Sequence, residues 1–323
     1  MRPRKALDGD ALRANAAAFA GLGAPVAAVL KNDGYNWGAR RLAAELDGVV
    51  ESYVVADEDE LADLRPVTRR PIRLLADVPP ARLERVLALD GIPNVSTRES
   101  AAVAAAEAGR RGGLTVRVGV LDASGWAAIL PEDAPAFAAA LAGTGVAVEL
   151  WTHLSSTARA GAILAGFEAA RAAFAAAGVP VVSTDVASSA SAAPALAFDR
   201  LRVGIGLFGA RQGAPLATRC ALRLEAPLVR RYAPGAIHWA GYGDRPIGAR
   251  DEAVVLRCGY GDGWPKGMAG SADILAVGMQ YTTRLWRRGV DPCVLIGAAD
   301  DLDELAARAG LSALELVVGL GLA

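Results

Sequence analysis

Short apolar runs recur along the first two thirds of the chain, and each leads into a stretch whose apolar positions repeat at helical spacing. The runs are Val26–Leu30, Ser52–Val55, Ile72–Ala76, Ile92–Val95, Leu114–Leu121, Val146–Trp151, Pro180–Ser183 and Leu201–Leu207. Between them lie the helix candidates Asp59–Leu64, Ala81–Ala88, Glu99–Ala108, Pro135–Leu141 and Ile163–Ala177, with a short one near Ala192–Ala197. An opening helix over Leu7–Phe19 takes Asp8 or Asp10 as its cap and sets Leu12, Ala16 and Phe19 on one face. Eight strands alternating with helices in about 200 residues predict a closed (β/α)8 barrel of the TIM type. A doubly wound sheet is the competing arrangement. The eightfold count decides against it, no GxGxxG fingerprint follows an early strand, and no GxxxxGK[ST] occurs.

After Gly209 the pattern changes. Ala221–Leu228, Ala253–Arg257, Ile274–Val277 and Cys293–Ile296 are short strand candidates, divided by turns such as Ala233-Pro234-Gly235 and Gly259-Tyr260-Gly261-Asp262-Gly263-Trp264-Pro265. A short helix is expected over Asp301–Arg308, and a last helical turn or two begins in Leu311–Leu316. The expected division is a barrel over 1–215 and a smaller, mostly β domain over 216–323, with the first few residues able to pack on the latter.

Composition narrows the function classes. At 323 residues the chain can bury the core of a barrel and a small domain, and a net charge of -1 leaves no basic footprint for nucleic acid. Much of the 53% hydrophobic content is alanine, as in Ala170-Arg171-Ala172-Ala173-Phe174-Ala175-Ala176-Ala177, and no run has the length of a membrane span. Cys220, Cys258 and Cys293 are far apart and odd in number, which fits neither a disulfide scaffold nor a CxxC knuckle. With only His153 and His238, a His-rich metal centre is not expected, and no metal ligand is assigned. No apolar export segment follows Met1-Arg2-Pro3-Arg4-Lys5, so a cytoplasmic location is the expectation.

In such a barrel the ligand sits at the carboxyl ends of the strands. Lys31 closes the first strand ahead of the turn Asn32-Asp33-Gly34 and the helical pattern Ala39–Leu46. An ammonium at the end of a buried strand is costly unless paired or neutralised, which suits an amine nucleophile; a lysine snorkelling to solvent is the alternative. His153 follows the sixth strand, as a ligand contact or a satisfied core histidine. Ser188 and Ser189 follow the seventh and Arg202-Val203-Gly204-Ile205 lies on the eighth, where serines and a glycine-opened backbone make a phosphate cradle; a helix cap is the other use of the serines. Arg202, in an otherwise apolar strand, must find an acceptor. A phosphate-bearing ligand beside a strand-end lysine points to pyridoxal 5'-phosphate, its aldehyde held by the lysine as an aldimine and its ring acting as electron sink.

The motifs then become specific. Val29-Leu30-Lys31-Asn32-Asp33-Gly34-Tyr35-Asn36-Trp37-Gly38, Thr152-His153, Ala187-Ser188-Ser189-Ala190 and Arg202-Val203-Gly204-Ile205-Gly206-Leu207-Phe208-Gly209 occur in that order. Gly241-Tyr242-Gly243, Gly259-Tyr260-Gly261-Asp262-Gly263-Trp264-Pro265 and Val277-Gly278-Met279 follow. Together they resemble the motifs of alanine racemase, over essentially the whole chain. The resemblance implies that Lys31 carries the cofactor and that Tyr35, Ser189 and the amides of Gly204 and Ile205 bind its phosphate. It further implies that His153 contacts the pyridoxal ring, Arg202 faces the pyridine nitrogen, and Met279 lies near the substrate carboxylate. Lys31 and Tyr242 would be the two bases, with Tyr242 supplied by the neighbouring subunit of a head-to-tail homodimer.

Departures cluster at the substrate end. The family's arginine for the substrate carboxylate falls at about Ser124, downstream of Arg117; the aspartate after the methionine is Gln280; the tyrosine of the final motif is Leu314. The expected function is therefore a PLP-dependent amino acid racemase whose substrate need not be alanine. A PLP enzyme of the same fold performing elimination, aldol cleavage or decarboxylation on an unusual amino acid is one alternative, and a non-catalytic PLP-binding protein is another. A further possibility for the carboxylate is Arg117, or another arginine, reaching it from a different backbone position.

Overall fold

The computed structural model describes residues 2–121, 127–154, 157–241, 245–271 and 273–322. Its central sheet has eight parallel strands: Val26–Val29, Ser52–Val55, Ile72–Asp77, Gly91–Asn94, Leu114–Gly119, Val146–Trp151, Val181–Asp185 and Leu201–Val203. Each pairs with its successor as far as the seventh, and the eighth pairs with the first, Val26 opposite Leu201. Only the seam between the seventh and eighth lacks a ladder among the described residues. Asp199 bridges it. Its N–H donates to the Thr184 carbonyl at 3.2 Å, and its carboxylate accepts from the Thr184 N–H at 2.7 Å and hydroxyl at 2.6 Å. The result is a nearly closed (β/α)8 barrel, as the pattern predicts.

Most barrel strands end a residue or two from the expected position, and the eighth ends four short. The seventh runs past Ser183 to Asp185, because Thr184 and Asp185 find partners across the seam. The eighth stops at Val203, and its expected continuation to Leu207 is replaced by a 3-10 turn over Ile205–Phe208. A Cβ on Gly206 would lie 2.5 Å from the Phe19 ring, so this turn packs directly on the opening helix, Gly9–Ala20. That helix is capped by Asp8, whose carboxylate accepts from the Ala11 N–H at 3.0 Å. The helix expected over Ala81–Ala88 starts as a 3-10 turn at Pro80–Arg82, and the short one near Ala192–Ala197 is a 3-10 turn at Pro194–Leu196.

The smaller domain contains a four-stranded antiparallel sheet in the order Leu228–Tyr232, Ala253–Leu256, Thr282–Leu285, Ile274–Val277. A three-stranded sheet sets Leu222–Glu225 between Arg4–Leu7 and Val294–Ile296. The single strand expected over Ala221–Leu228 is thus two strands in different sheets; Pro227, with no N–H to give, falls between them. A two-stranded ribbon joins Trp239–Ala240 to Arg245–Pro246. The last helix, Ala313–Leu322, packs back on the barrel: the Trp37 indole donates to the Val317 carbonyl at 2.9 Å and the Asn36 amide to that of Val318 at 3.2 Å.

Charge fills much of the barrel interior. Arg73 makes a two-pronged contact with Glu149 at 2.6 and 2.9 Å and reaches Glu51 at 3.3 Å. Arg200 lies 3.2 Å from Glu149 and 3.6 Å from Asp185; Arg117 reaches Asp185 at 3.1 Å, and Arg202 pairs with the same carboxylate. Four guanidiniums therefore meet three carboxylates in a column rising from Glu51, ahead of the second strand, to Asp185 and Arg202 beneath the mouth. Such groups survive burial only where partners surround them, and the excess is positive. Among the described residues no helix is long and apolar enough to cross a membrane, and no group of three or more His, Cys, Asp or Glu side chains is placed to hold a metal ion.

Candidate active site

The first strand hands over to a turn of the wrong hand. Asn32, Asp33, Gly34, Tyr35 and Asn36 all have φ between 48° and 66°. For residues with a Cβ this conformation is unfavourable by about 1–2 kcal/mol each, least so for Asn and Asp. Its neighbours hold it in place. The Glu60 carboxylate accepts the Asn32 N–H, and the Asp33 carboxylate accepts the Ala39 N–H at 2.7 Å, capping the following helix. Gly34 relieves crowding in the turn, since a Cβ there would meet Leu42 at 2.5 Å and the Ala39 backbone at 3.1 Å. The left-handed turn leaves Lys31 at the mouth and turns Tyr35 inward, where it is buried edge-on against Phe208 with ring centroids 5.7 Å apart. Backbone strain of this kind gathers at functional sites.

Lys31 is half-buried, and its amine pKa is held below the ordinary 10.5, first by burial and further by the charge of Arg202, with Glu60 opposing. Burial also raises the Glu60 carboxyl, against the hydrogen bonds it accepts from the Ala56 and Asn32 N–H groups. Both shifts favour uncharged forms beside the mouth.

Across the mouth, the Ser189 hydroxyl accepts the N–H groups of Gly204 and Gly206 at 3.2 and 3.1 Å. A Cβ on Gly204 would lie 1.9 Å from the Tyr35 hydroxyl, so that oxygen sits directly over bare backbone. Two hydroxyls therefore stand together at the opening of a glycine-rich turn, one of them steadied by the amides of Gly204 and Gly206. Burial raises the Tyr35 phenol above its ordinary value, which keeps it a neutral hydrogen-bond donor.

Arg202 is fixed from three sides. It pairs with the Asp185 carboxylate and donates to the carbonyls of Thr152 at 2.5 Å and Asp185 at 3.3 Å. This is the acceptor that a guanidinium on an apolar strand requires. The guanidinium carbons of Arg202 and Arg117 each lie 5.0 Å from the centroid of the Trp151 ring, whose indole N–H donates to Asn94 at 2.8 Å.

These groups enclose a cavity of about 430 Å³. Lys31, Tyr35, His153, Ser189, Arg202, Gly204, Ile205 and Leu314 all border it. Met279 and Gln280 do not: both are exposed on the β domain, Met279 with 59% of its surface open. Ser124 and Tyr242 lie outside the described residues. Arg117 does not reach the mouth, for it is fully buried and held by Asp185 and, at 3.4 Å, by the Leu74 carbonyl. Sequence reasoning missed Trp151, Val29, Leu75 and Leu154 as walls and Asp185 as the anchor. Trp151 closes its strand as Lys31 follows the first, and that position was the available signal.

A (β/α)8 barrel with a smaller β domain and a lysine facing paired hydroxyls at the strand ends is a narrow class of protein. The chain belongs to the alanine racemase family, with residues 7–212 matching the family's model for the alanine racemase N-terminal domain. An alanine racemase from Methylobacterium sp. (strain 4-46) is 30% identical, over 93% of this chain and 89% of that protein. Among solved structures, alanine racemase from D-cycloserine-producing Streptomyces lavendulae has the same fold, with TM-score 0.81 and 21% identity over 99% of this chain and 95% of that one. Alanine racemase from Bartonella henselae with covalently bound pyridoxal phosphate gives TM-score 0.80 at 19% identity, covering 99% of this chain and 97% of that one.

Proposed function

We propose that the protein is a pyridoxal 5'-phosphate-dependent amino acid racemase, working as a homodimer with shared sites in the cytoplasm. The observation that carries this is the meeting of Lys31, the Ser189–Gly204–Gly206 turn and the anchored Arg202 around one cavity. The residues fit the cofactor. Gly204 lets the Tyr35 hydroxyl sit on bare backbone beside the Ser189 hydroxyl, and paired hydroxyls at a glycine-rich turn suit a phosphate. The relative from Bartonella henselae carries pyridoxal phosphate covalently, which supports the same use of this mouth.

When bound, the cofactor supplies a carbonyl for the substrate's amino group and a ring that draws electrons from the Cα–H bond. The rest falls to the chain. Tyr35 and Ser189 would hold the phosphate with the Ile205 amide, and the Gly204 amide, which donates to Ser189, would steady that hydroxyl. Arg202, fixed by Asp185 and two carbonyls, would present a cation to the cofactor ring and so oppose protonation of its nitrogen. The Lys31 amine, with its lowered pKa, moves the Cα proton on one face. Tyr242 of the neighbouring subunit serves the other face. The β domain carries Trp239, Tyr260, Met279 and Tyr281 exposed, and an aromatic-rich surface of this kind suits coverage by a second copy.

Val29, Leu75, Trp151, Leu154 and Leu314 give the cavity a largely apolar wall, which favours an amino acid with a larger apolar side chain than alanine's. The test is Cα deuterium incorporation from solvent across a panel of L- and D-amino acids, with borohydride reduction and peptide mapping of the same preparation. Exchange and a label on Lys31 are expected. A label elsewhere, or no exchange with any amino acid, overturns the reading.

A further inference from the structure

We propose that Arg245 receives the substrate's carboxylate, and that it does so in the partner subunit's barrel. The inference rests on the dimeric racemase reading and adds the residue that completes its site.

An α-amino acid entering the barrel brings a carboxylate, which loses its water and needs a charged or multiply donating partner. The cavity's lysine and arginine are committed elsewhere: Lys31 serves the cofactor, and Arg202 is engaged by Asp185 and two backbone carbonyls. Arg117 lies buried below, on the same Asp185. Ser124 has no charge to offer.

The β domain holds a second cavity of about 430 Å³, bordered by Gly241, Arg245, Tyr260, Lys266, Gly278 and Tyr281. It shares no lining residue with the barrel cavity. Gly241 and Gly278 immediately precede Tyr242 and Met279, the two residues that the dimer reading sends to the partner's Lys31. Any docking that brings Gly241 and Gly278 to the partner's mouth brings Arg245 as well, since all three border one cavity.

Arg245 is exposed at the start of its ribbon strand, and its guanidinium has no ion pair or hydrogen bond among the described residues. It rests against Gly270, where a Cβ would fall 2.3 Å from Nη2, so bare backbone gives the guanidinium its place beside the cavity. Lys266 borders the same cavity, but an ammonium is a point charge, whereas the planar guanidinium matches both carboxylate oxygens.

The test uses the holoenzyme and the amino acid that the wild type racemises best. Arg245→Gln should raise KM by about 10- to 100-fold, the value of a charge-assisted hydrogen bond, with a much smaller change in kcat. Calorimetric affinity for propionate should fall by a similar factor, and Lys266→Gln should cause neither effect. Mixing Arg245→Gln with inactive Lys31→Ala protein, under conditions of proven subunit exchange, should restore a population of sites with the wild-type KM. An unchanged KM and propionate affinity in Arg245→Gln would overturn the proposal, as would their loss in Lys266→Gln alone. A mixture with only high-KM sites would place Arg245 in its own chain's site and overturn the trans assignment. A wild type without Cα exchange is a different failure, that of the racemase reading; propionate affinity would still decide Arg245.

Discussion

At the barrel mouth each polar group is held from behind: Ser189 by two amides, Arg202 by Asp185 and two carbonyls, Trp151 by Asn94. On the β domain a cavity of the same size is edged by exposed residues, with Tyr260 and Tyr281 open and Arg245 unpaired among the described residues. The first surface is organised before anything binds, as a site for a fixed cofactor needs to be. The second has exposed aromatic and cationic groups of the kind that suit an interface, with Arg245 paired to nothing among the described residues. The contrast argues that one chain carries two halves of different sites, and each half calls for a separate test.

The largest effect is expected from separating the halves. Lys31→Ala should lower racemisation by about 10⁴-fold or more, because the proposed function has one residue both anchor the cofactor and move the proton. Tyr242→Phe should also be nearly inactive, yet mixed dimers of the two variants should regain activity up to a quarter or so of the wild type by random assortment of about equal amounts. Mixed dimers that stay inactive despite proven exchange would break the comparison, since both halves would then belong to one chain's site.

Next comes the support beneath the mouth. Asp185→Asn removes the carboxylate shared by Arg117, Arg200 and Arg202. Breaking a buried ion pair by removing one partner typically costs about 3–5 kcal/mol. On the β domain, Glu252→Gln loosens the exposed pair with Arg231 and should cost less than about 1 kcal/mol. Urea denaturation of the two variants measures the difference, and equal losses would mean that the barrel column carries no special weight.

How much of this was legible in the sequence follows from the range of each interaction. The barrel strands show as local apolar runs, and Lys31, Ser189 and Arg202 stand out because strand ends are where this fold places ligands. The column does not show, because its partners are remote: Arg73 and Glu149 are 76 positions apart and Arg117 and Asp185 are 68. Asp185 escapes notice because the apolar run stops at Ser183, although Arg202 requires an acceptor. The left-handed turn shows only as a glycine-punctuated stretch, since Tyr35 at positive φ has no local cause and depends on packing against Phe208 and the last helix. Arg245 lies in a two-residue strand, too short to carry any pattern.

A smaller effect concerns pH. Because burial and Arg202 lower the Lys31 pKa, the neutral amine that attacks the cofactor's carbonyl is populated at lower pH than for an ordinary lysine. Cofactor uptake by the apoprotein should therefore rise with pH to a midpoint below 10.5, read from the growth of the visible absorbance band. Glu60→Gln removes the charge that opposes the shift and should move the midpoint lower still. A midpoint at or above the ordinary lysine value would contradict the burial of Lys31 at the mouth.

The smallest effect should come from Leu314, a wall residue contributed by the last helix. It is part-exposed at the rim of the cavity, so truncating it opens the mouth without leaving a sealed void in the core. A hydrophobic wall distinguishes substrates only through the area it covers, and a missing methylene in such a pocket is worth about 1–3 kcal/mol at most. At a rim the lower end of that range applies, so Leu314→Ala should reduce kcat/KM for a leucine-sized amino acid by about 10-fold or less. Alanine, whose methyl group is too short to reach the rim, should keep its rate, and the ratio of the two efficiencies should fall accordingly. Equal losses for both substrates would show that Leu314 positions the left-handed turn beneath it and does not select side chains. Efficient turnover of alanine by the wild type, with larger substrates worse, would remove the apolar-wall reading altogether.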